Sequence, residues 1–203
     1  MFHADAIHPQ SLDLLTDLQA CPALSDTRLV GGTALGLHLG HRISVDLDCF
    51  GPLSDPDDTE CELRKLGDIS VRNRSERIRS YVIRGVQVDL VDYPYPWLEN
   101  AVEDQGVRLA AISDIAAMKV AAITNRGAKK DFIDLAFLLR EFSLREVLAW
   151  YEAKFDDSAL FHAVKSLTYF ADAEPEPMPT MLASITWDEV KAAIRLATSD
   201  LAG

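Results

Sequence analysis

The sequence is short of cysteine, of basic residues and of long apolar runs, and each shortage excludes a class of protein. Cys21, Cys49 and Cys61 are odd in number and lack a Cys-x-x-Cys spacing, so neither a disulfide framework nor a thiolate zinc site is indicated, and buried reduced thiols are expected. His38 and His41 stand three apart without an obvious third ligand. No stretch nears the roughly 18 to 20 consecutive apolar residues that cross a bilayer. The opening MFHADAIHPQ has neither the basic nor the apolar region of a signal peptide, so a cytoplasmic location without a membrane partner is expected.

Bases are outnumbered, 20 Lys and Arg against 32 Asp and Glu, for a net charge of −12. That balance argues against broad nonspecific affinity for nucleic acid, which comes from neutralising phosphates. The distribution is uneven, however. Residues 64–84 carry Arg64, Lys65, Arg72, Arg74, Arg77, Arg79 and Arg84 against only Asp68 and Glu76, while residues 1–63 hold eleven acids and two bases. One face can therefore be locally basic.

What is present is a 203-residue chain, 48% hydrophobic, long enough for a real core in one domain or one domain with a helical extension. Leu12, Leu15 and Leu18 have the spacing of an amphipathic helix. Arg28–Val30 reads as a short strand running into Gly31-Gly32 and then a helix. From Ser44 to Phe50 the pattern alternates, with Val45, Leu47 and Cys49 on one side and Ser44, Asp46 and Asp48 on the other, as in a half-buried strand. SYVIRGVQVDLV, residues 80–91, reads as a hairpin turning at Arg84-Gly85. After Pro96 the chain becomes helical: Ser113 can cap a helix that Gly127 stops, a second helix runs from about Lys130 to Glu141, and others cover Leu144–Lys154 and Phe161–Phe170. ADAEPEPMPT reads as an extended linker, and Thr186 with Glu189 as a capping box for a last helix.

Two carboxylates at i and i+2 on a strand project from one face and can share cations. Asp46 and Asp48 suit a pair of magnesium ions at a transferring phosphorus, although an Asp-x-Asp is equally the wet face of an edge strand. Gly31 and Gly32 let backbone amides approach a triphosphate, with the Thr33 hydroxyl as an added donor, although a tight turn alone also explains two glycines. Asp89 lies on a β-rich run suited to supply a third acid, with Asp92 as the other choice. Lys119 and Arg126, seven apart, share a helical face from which two cations can hold phosphates, although a pair of snorkelling surface cations has the same spacing. Asp131 and Asp134 stand in the first turn of the next helix, where the helix dipole is reason enough for them.

VGGTALGLHLGHRISVDLDCF resembles the nucleotide-binding signature of the AbiEii/AbiGii toxin family, within the polymerase-β-like nucleotidyltransferase superfamily. VQVDLVDYPYP, DIAAMKVAAITNR and KKDFIDLAFLL are similar to the family's later motifs, in the same order. The resemblance spans residues 28 to 140. It implies an α/β (α+β) polymerase-β-like fold, a mixed twisted sheet flanked by helices, in which residues 1–110 form the transferase core and a helical part, residues 111–203, completes the cleft. It also implies an NTP substrate, with magnesium, or manganese in its place, held by Asp46, Asp48 and Asp89. By motif position Gly32 and Thr33 face phosphates, Ser44 shares the strand of Asp46 and Asp48, Lys119 holds triphosphate, and Asp131 joins from the second helix. Gly32-Thr33 replaces the more common Gly-Ser and keeps the hydroxyl. The chain is shorter than many members, which bears on acceptor recognition.

The expected activity is transfer of a nucleotidyl group from an NTP to an acceptor hydroxyl; the resemblance further implies the toxin of a toxin–antitoxin or phage-defence pair, with a cognate antitoxin as partner and, by analogy rather than from residues, RNA, tRNA especially, as acceptor. Two other classes fit the same residues: a noncatalytic nucleotide-binding or interaction protein, and an enzyme that modifies a small molecule. Net acidity favours the small molecule and the basic run favours nucleic acid.

Overall fold

The structure is a computed structural model and describes residues 2–155 and 159–201. The chain divides into two compact units, Met1–Tyr95 with Asn100–Ala110, and Pro96–Glu99 with Ala111–Gly203. Among the described residues, no helix is long and apolar enough to cross a membrane.

The first unit holds a seven-stranded mixed sheet and three α-helices among its described residues. The strands are β1 (Arg28–Leu29), β2 (Leu47–Gly51), β3 (Ile69–Arg74), β4 (Ile78–Ile83), β5 (Val86–Asp92), β6 (Val102–Asp104) and β7 (Val107–Leu109), in the order β3-β4-β5-β2-β1-β7-β6. Pairing of β2 with β5 and of β1 with β7 is parallel, and the remaining pairings are antiparallel. The helices are α1 (Pro9–Ala20), α2 (Gly31–Leu39) and α3 (Pro56–Lys65). Leu14, Leu15 and Leu18 of α1, with Leu47, Cys49, Val88, Leu90 and Tyr81 of the sheet, are buried core. The hairpin forms where Arg84 and Gly85 both take positive φ, 52° and 80°, the pair of left-handed residues that a two-residue turn requires.

The strand expected from Ser44 begins only at Leu47. Its inward residues Leu47 and Cys49 are fully buried, but Val45 is 60% exposed. The chain ahead of Leu47 is engaged elsewhere: Ser44 bridges Ile7 and donates its backbone N–H to the Ala6 carbonyl at 3.0 Å.

The second unit contains α4 (Ile112–Asn125), α5 (Lys129–Leu138), α6 (Leu144–Lys154), α7 (Leu160–Leu167) and α8 (Trp187–Ser199). Ile115, Val120, Phe132, Leu135, Val147, Ala163, Leu167, Val190 and Ile194 form its core. Ser113 does not cap α4. It lies inside the helix, which begins after Ala111, and its hydroxyl is buried without a hydrogen-bond partner among the described residues. Gly127 ends α4 at φ 58°, and Thr186 with Glu189 forms the capping box of α8. The ADAEPEPMPT segment is turned rather than extended, because the Lys129 ammonium donates to the carbonyls of Glu174 and Glu176 and the Lys129 backbone N–H to the Glu176 carboxylate.

The segment Pro96–Glu99 is held by a fully buried ion pair. Lys154 donates to Asp114 at 2.6 Å and to the Pro96 carbonyl at 2.7 Å, while Asp114 accepts from the backbone N–H groups of Leu98 and Glu99. Those added hydrogen bonds satisfy the buried charges, and removing either partner would leave the other uncompensated.

Candidate active site

In the first unit the site is built on β2. Asp48 alternates outward between Leu47 and Cys49, and in the parallel ladder it stands directly across from Asp89 on β5. The row continues through Ser80 on β4 to Asn73 on β3. Asp46 immediately precedes β2 and is half-buried, as is Asp48. Asp92 is exposed and pairs with Gly51 at the far end of the ladder. One oxygen of Asp89 accepts from Gln87 Nε2 at 3.2 Å, and the other is buried without a hydrogen-bond partner among the described residues. A buried carboxylate oxygen of that kind, beside a second carboxylate, is a fit for a cation. Among the described residues, no cluster of three or more His, Cys, Asp or Glu side chains is gathered closely enough to enclose an ion.

The two glycines are required by contact. Gly31 has φ 71°, and a Cβ there would overlap the Asp48 carboxylate; a Cβ at Gly32 would overlap the guanidinium of the buried Arg42. The turn from β1 into α2 thus lies against both a carboxylate and a cation. Arg42 is a residue that sequence reasoning missed, because nothing local distinguishes it from a surface arginine. Thr33 is fully buried, and its hydroxyl donates to the Asp46 carbonyl, which ties the start of α2 to the residue preceding β2. Ser44 lies outside this row.

Burial disfavours the charged forms of His38 and of the cysteine beside the site. The His38 ring bonds the Ala110 carbonyl at 2.9 Å and burial pushes its pKa down. Burial, with Asp48 adjoining, pushes the Cys49 thiol up to about 12, so it stays protonated.

In the second unit Lys119, Arg126, Asp131 and Asp134 form one cluster. Lys119 contacts Asp131 at 3.0 Å and Asp134 at 2.6 Å, and Arg126 forks onto both oxygens of Asp131 at 2.8 and 3.0 Å. Both carboxylate side chains are fully buried, Lys119 is 5% exposed, and Arg126 remains 57% exposed. Burial raises the Asp131 pKa, but Lys119 and Arg126 outweigh it and hold the carboxyl below its ordinary range. Asp134, expected only as structural support, is a direct partner of Lys119. The shared face of Lys119 and Arg126 was legible; that it points at two carboxylates on the next helix was not.

The model of the family described as nucleotidyl transferase AbiEii toxin, type IV toxin–antitoxin system, matches residues 13–96 and 80–200. An uncharacterized protein of Aquifex aeolicus is 34% identical over 90% of this chain and 89% of its own length. Among solved structures, MenT4, a nucleotidyltransferase toxin of Mycobacterium tuberculosis H37Rv, aligns with a TM-score of 0.61 at 16% identity over 96% of this chain and 86% of its own. JHP933 of Helicobacter pylori aligns at 0.58 and 18% over 97% and 95%. ANT(2″)-Ia, solved with adenylyl-2″-tobramycin, aligns at 0.57 and 16% over 72% and 97%. The fold is that of the polymerase-β-like nucleotidyltransferases.

Proposed function

We propose that this chain, which belongs to the AbiEii nucleotidyltransferase toxin family, moves a nucleotidyl group from an NTP to an acceptor hydroxyl as the toxin partnered by a cognate antitoxin. The observation that carries the reading is Asp48: it stands in register with Asp89 and against Gly31. In the reaction the acceptor oxygen bonds to the α-phosphorus, the bond to the bridging oxygen breaks, pyrophosphate leaves, and the hydroxyl proton passes to a carboxylate or solvent. Asp46, Asp48 and Asp89 would hold Mg2+, which when bound neutralises charge developing on phosphorus and activates the attacking hydroxyl.

The backbone at Gly31, Gly32 and Thr33 is the proposed phosphate cradle. Lys119 and Arg126 remain the proposed triphosphate contacts. The exposed Arg126 keeps a guanidinium face for phosphate while its fork holds Asp131 ionised. RNA, tRNA especially, is the proposed acceptor. A cationic small molecule is the second reading, favoured by the net charge of −12.

The test is incubation with each labelled NTP, Mg2+ and total RNA, followed by separation of labelled RNA from free nucleotide. Label in RNA that is lost in Asp48→Ala supports the reading. Label moving only to an added aminoglycoside replaces RNA as acceptor, and no transfer to any acceptor returns the chain to a noncatalytic nucleotide binder.

A further inference from the structure

The sheet face that carries Asp48 continues into an aromatic surface that the proposed chemistry leaves unused. Side chains two residues apart on a strand share a face, so Phe50 follows Asp48 on β2 and Val91 follows Asp89 on β5. The ladder sets Phe50 beside Val91 and Val91 beside Ile78. Tyr93 comes next on the same side, and its ring meets Phe50 at 5.3 Å between centroids; Tyr95 meets Tyr93 at 5.4 Å. Ile78 is 44% and Tyr95 46% exposed, whereas Leu47, Cys49, Leu90 and Tyr81 on the opposite face are fully buried. A contiguous apolar strip left at the surface marks a binding surface.

The charge beside it is also specific. Of the seven bases in residues 64–84, Arg64, Lys65, Arg74 and Arg84 pair with carboxylates. Arg79 is buried, donating to the Ser54 carbonyl at 3.0 Å and to Thr59 Oγ1 at 3.1 Å. Arg77, which precedes Ile78, and Arg72, at the register shift of β3, are exposed and enter no ion pair among the described residues. Unneutralised guanidinium groups beside stacked rings are the recognition set for single-stranded nucleic acid, with phosphates on the arginines and bases on the rings.

We infer that Phe50, Tyr93 and Tyr95 form a stacking platform for the nucleobase adjoining the reactive hydroxyl of a single-stranded nucleic-acid acceptor, with Arg72 and Arg77 on its phosphates. The inference rests on the nucleotidyl-transfer reading for its orientation: a base seated on Phe50 and Tyr93 brings its own sugar toward Asp48 and Asp89. These rings are positioning residues and take no part in bond making.

The test uses the full chain, without NTP, and a fluorescent single-stranded oligoadenylate RNA of about ten nucleotides, read by anisotropy. Wild type binds, Tyr95→Ala weakens binding by about 5- to 150-fold, and Tyr95→Phe, which keeps the ring and loses only the hydroxyl, binds as wild type. Tyr93→Leu, which retains an apolar filler beside Phe50, weakens binding similarly. In the total-RNA assay both weakened variants raise the half-saturating RNA concentration and leave that of NTP unchanged. Wild-type affinity in Tyr95→Ala and Tyr93→Leu overturns the inference. So does a rise in the NTP requirement alone, which would give the platform to the incoming base. If wild type ignores the oligonucleotide yet shows Asp48-dependent transfer to another acceptor, the platform is wrong and the transferase reading stands.

Discussion

Asp48 stands beside Asp89 in parallel register, and Gly31 gives its carboxylate room by having no side chain of its own. Two carboxylates on adjacent strands repel one another, and a cation lying with both would relieve that repulsion.

Asp46→Ala and Asp48→Ala are each expected to abolish transfer, by more than about a hundredfold, with an unchanged circular dichroism spectrum because both positions are only half-buried. Retention of activity within about tenfold in either variant sinks the metal assignment. Asp89→Asn removes the like charge beside Asp48, so without divalent ions its Tm should equal or exceed that of wild type. Wild type should gain stability on adding Mg2+, about 2.7 kcal/mol at a hundred times Kd, and Asp89→Asn should lose most of that gain.

Gly31→Ala incurs a positive-φ penalty and an overlap with Asp48 together. A loss of at least about 1–3 kcal/mol in urea unfolding is expected, and a neutral result would show that the turn relaxes away from the carboxylate.

Lys119→Met should cost about 3–5 kcal/mol, because it removes the ammonium that both buried carboxylates, Asp131 and Asp134, contact. Stability and NTP requirement are therefore expected to change together, and a variant as stable as wild type would remove the buried-pair account. Asp131→Asn should lower turnover with nucleotide still bound, as a binding titration would read.

The Asp131 carboxyl is held below its ordinary value of 3.8. A depressed folded-state pKa contributes stability that is present above the unfolded value and lost as pH falls through the folded one. Tm of wild type should accordingly fall more steeply below pH 3.8 than that of Asp131→Asn, and parallel profiles would mean the group does not titrate as described.

Arg72→Ala with Arg77→Ala should reduce the log–log salt slope of RNA binding by roughly 0.7 to 0.9 per lost contact at unchanged Tm. Arg79→Ala should instead lose about 1–3 kcal/mol of stability, because it strips a buried hydrogen-bonded side chain. The basic run thus separates into structural and exposed members, and equal salt slopes in wild type and the double variant would remove Arg72 and Arg77 from the acceptor path.

Local order is what the sequence by itself determined. The alternation around Asp48, the turn at Arg84-Gly85, the stop at Gly127 and the capping box at Thr186 each depend on residues a few positions apart, where period and backbone preference act directly. So does the family, whose motifs are contiguous. The tertiary structure decided which distant residues meet: Asp89 rather than Asp92 beside Asp48, Arg42 against Gly32, Lys119 between Asp131 and Asp134, and Lys154 on the carbonyl of Pro96. It also decided which bases of the run at 64–84 are spent inside the fold. Strand register and the burial of charge are set by pairings between segments remote in the chain, and their free energy exists only once those segments have packed.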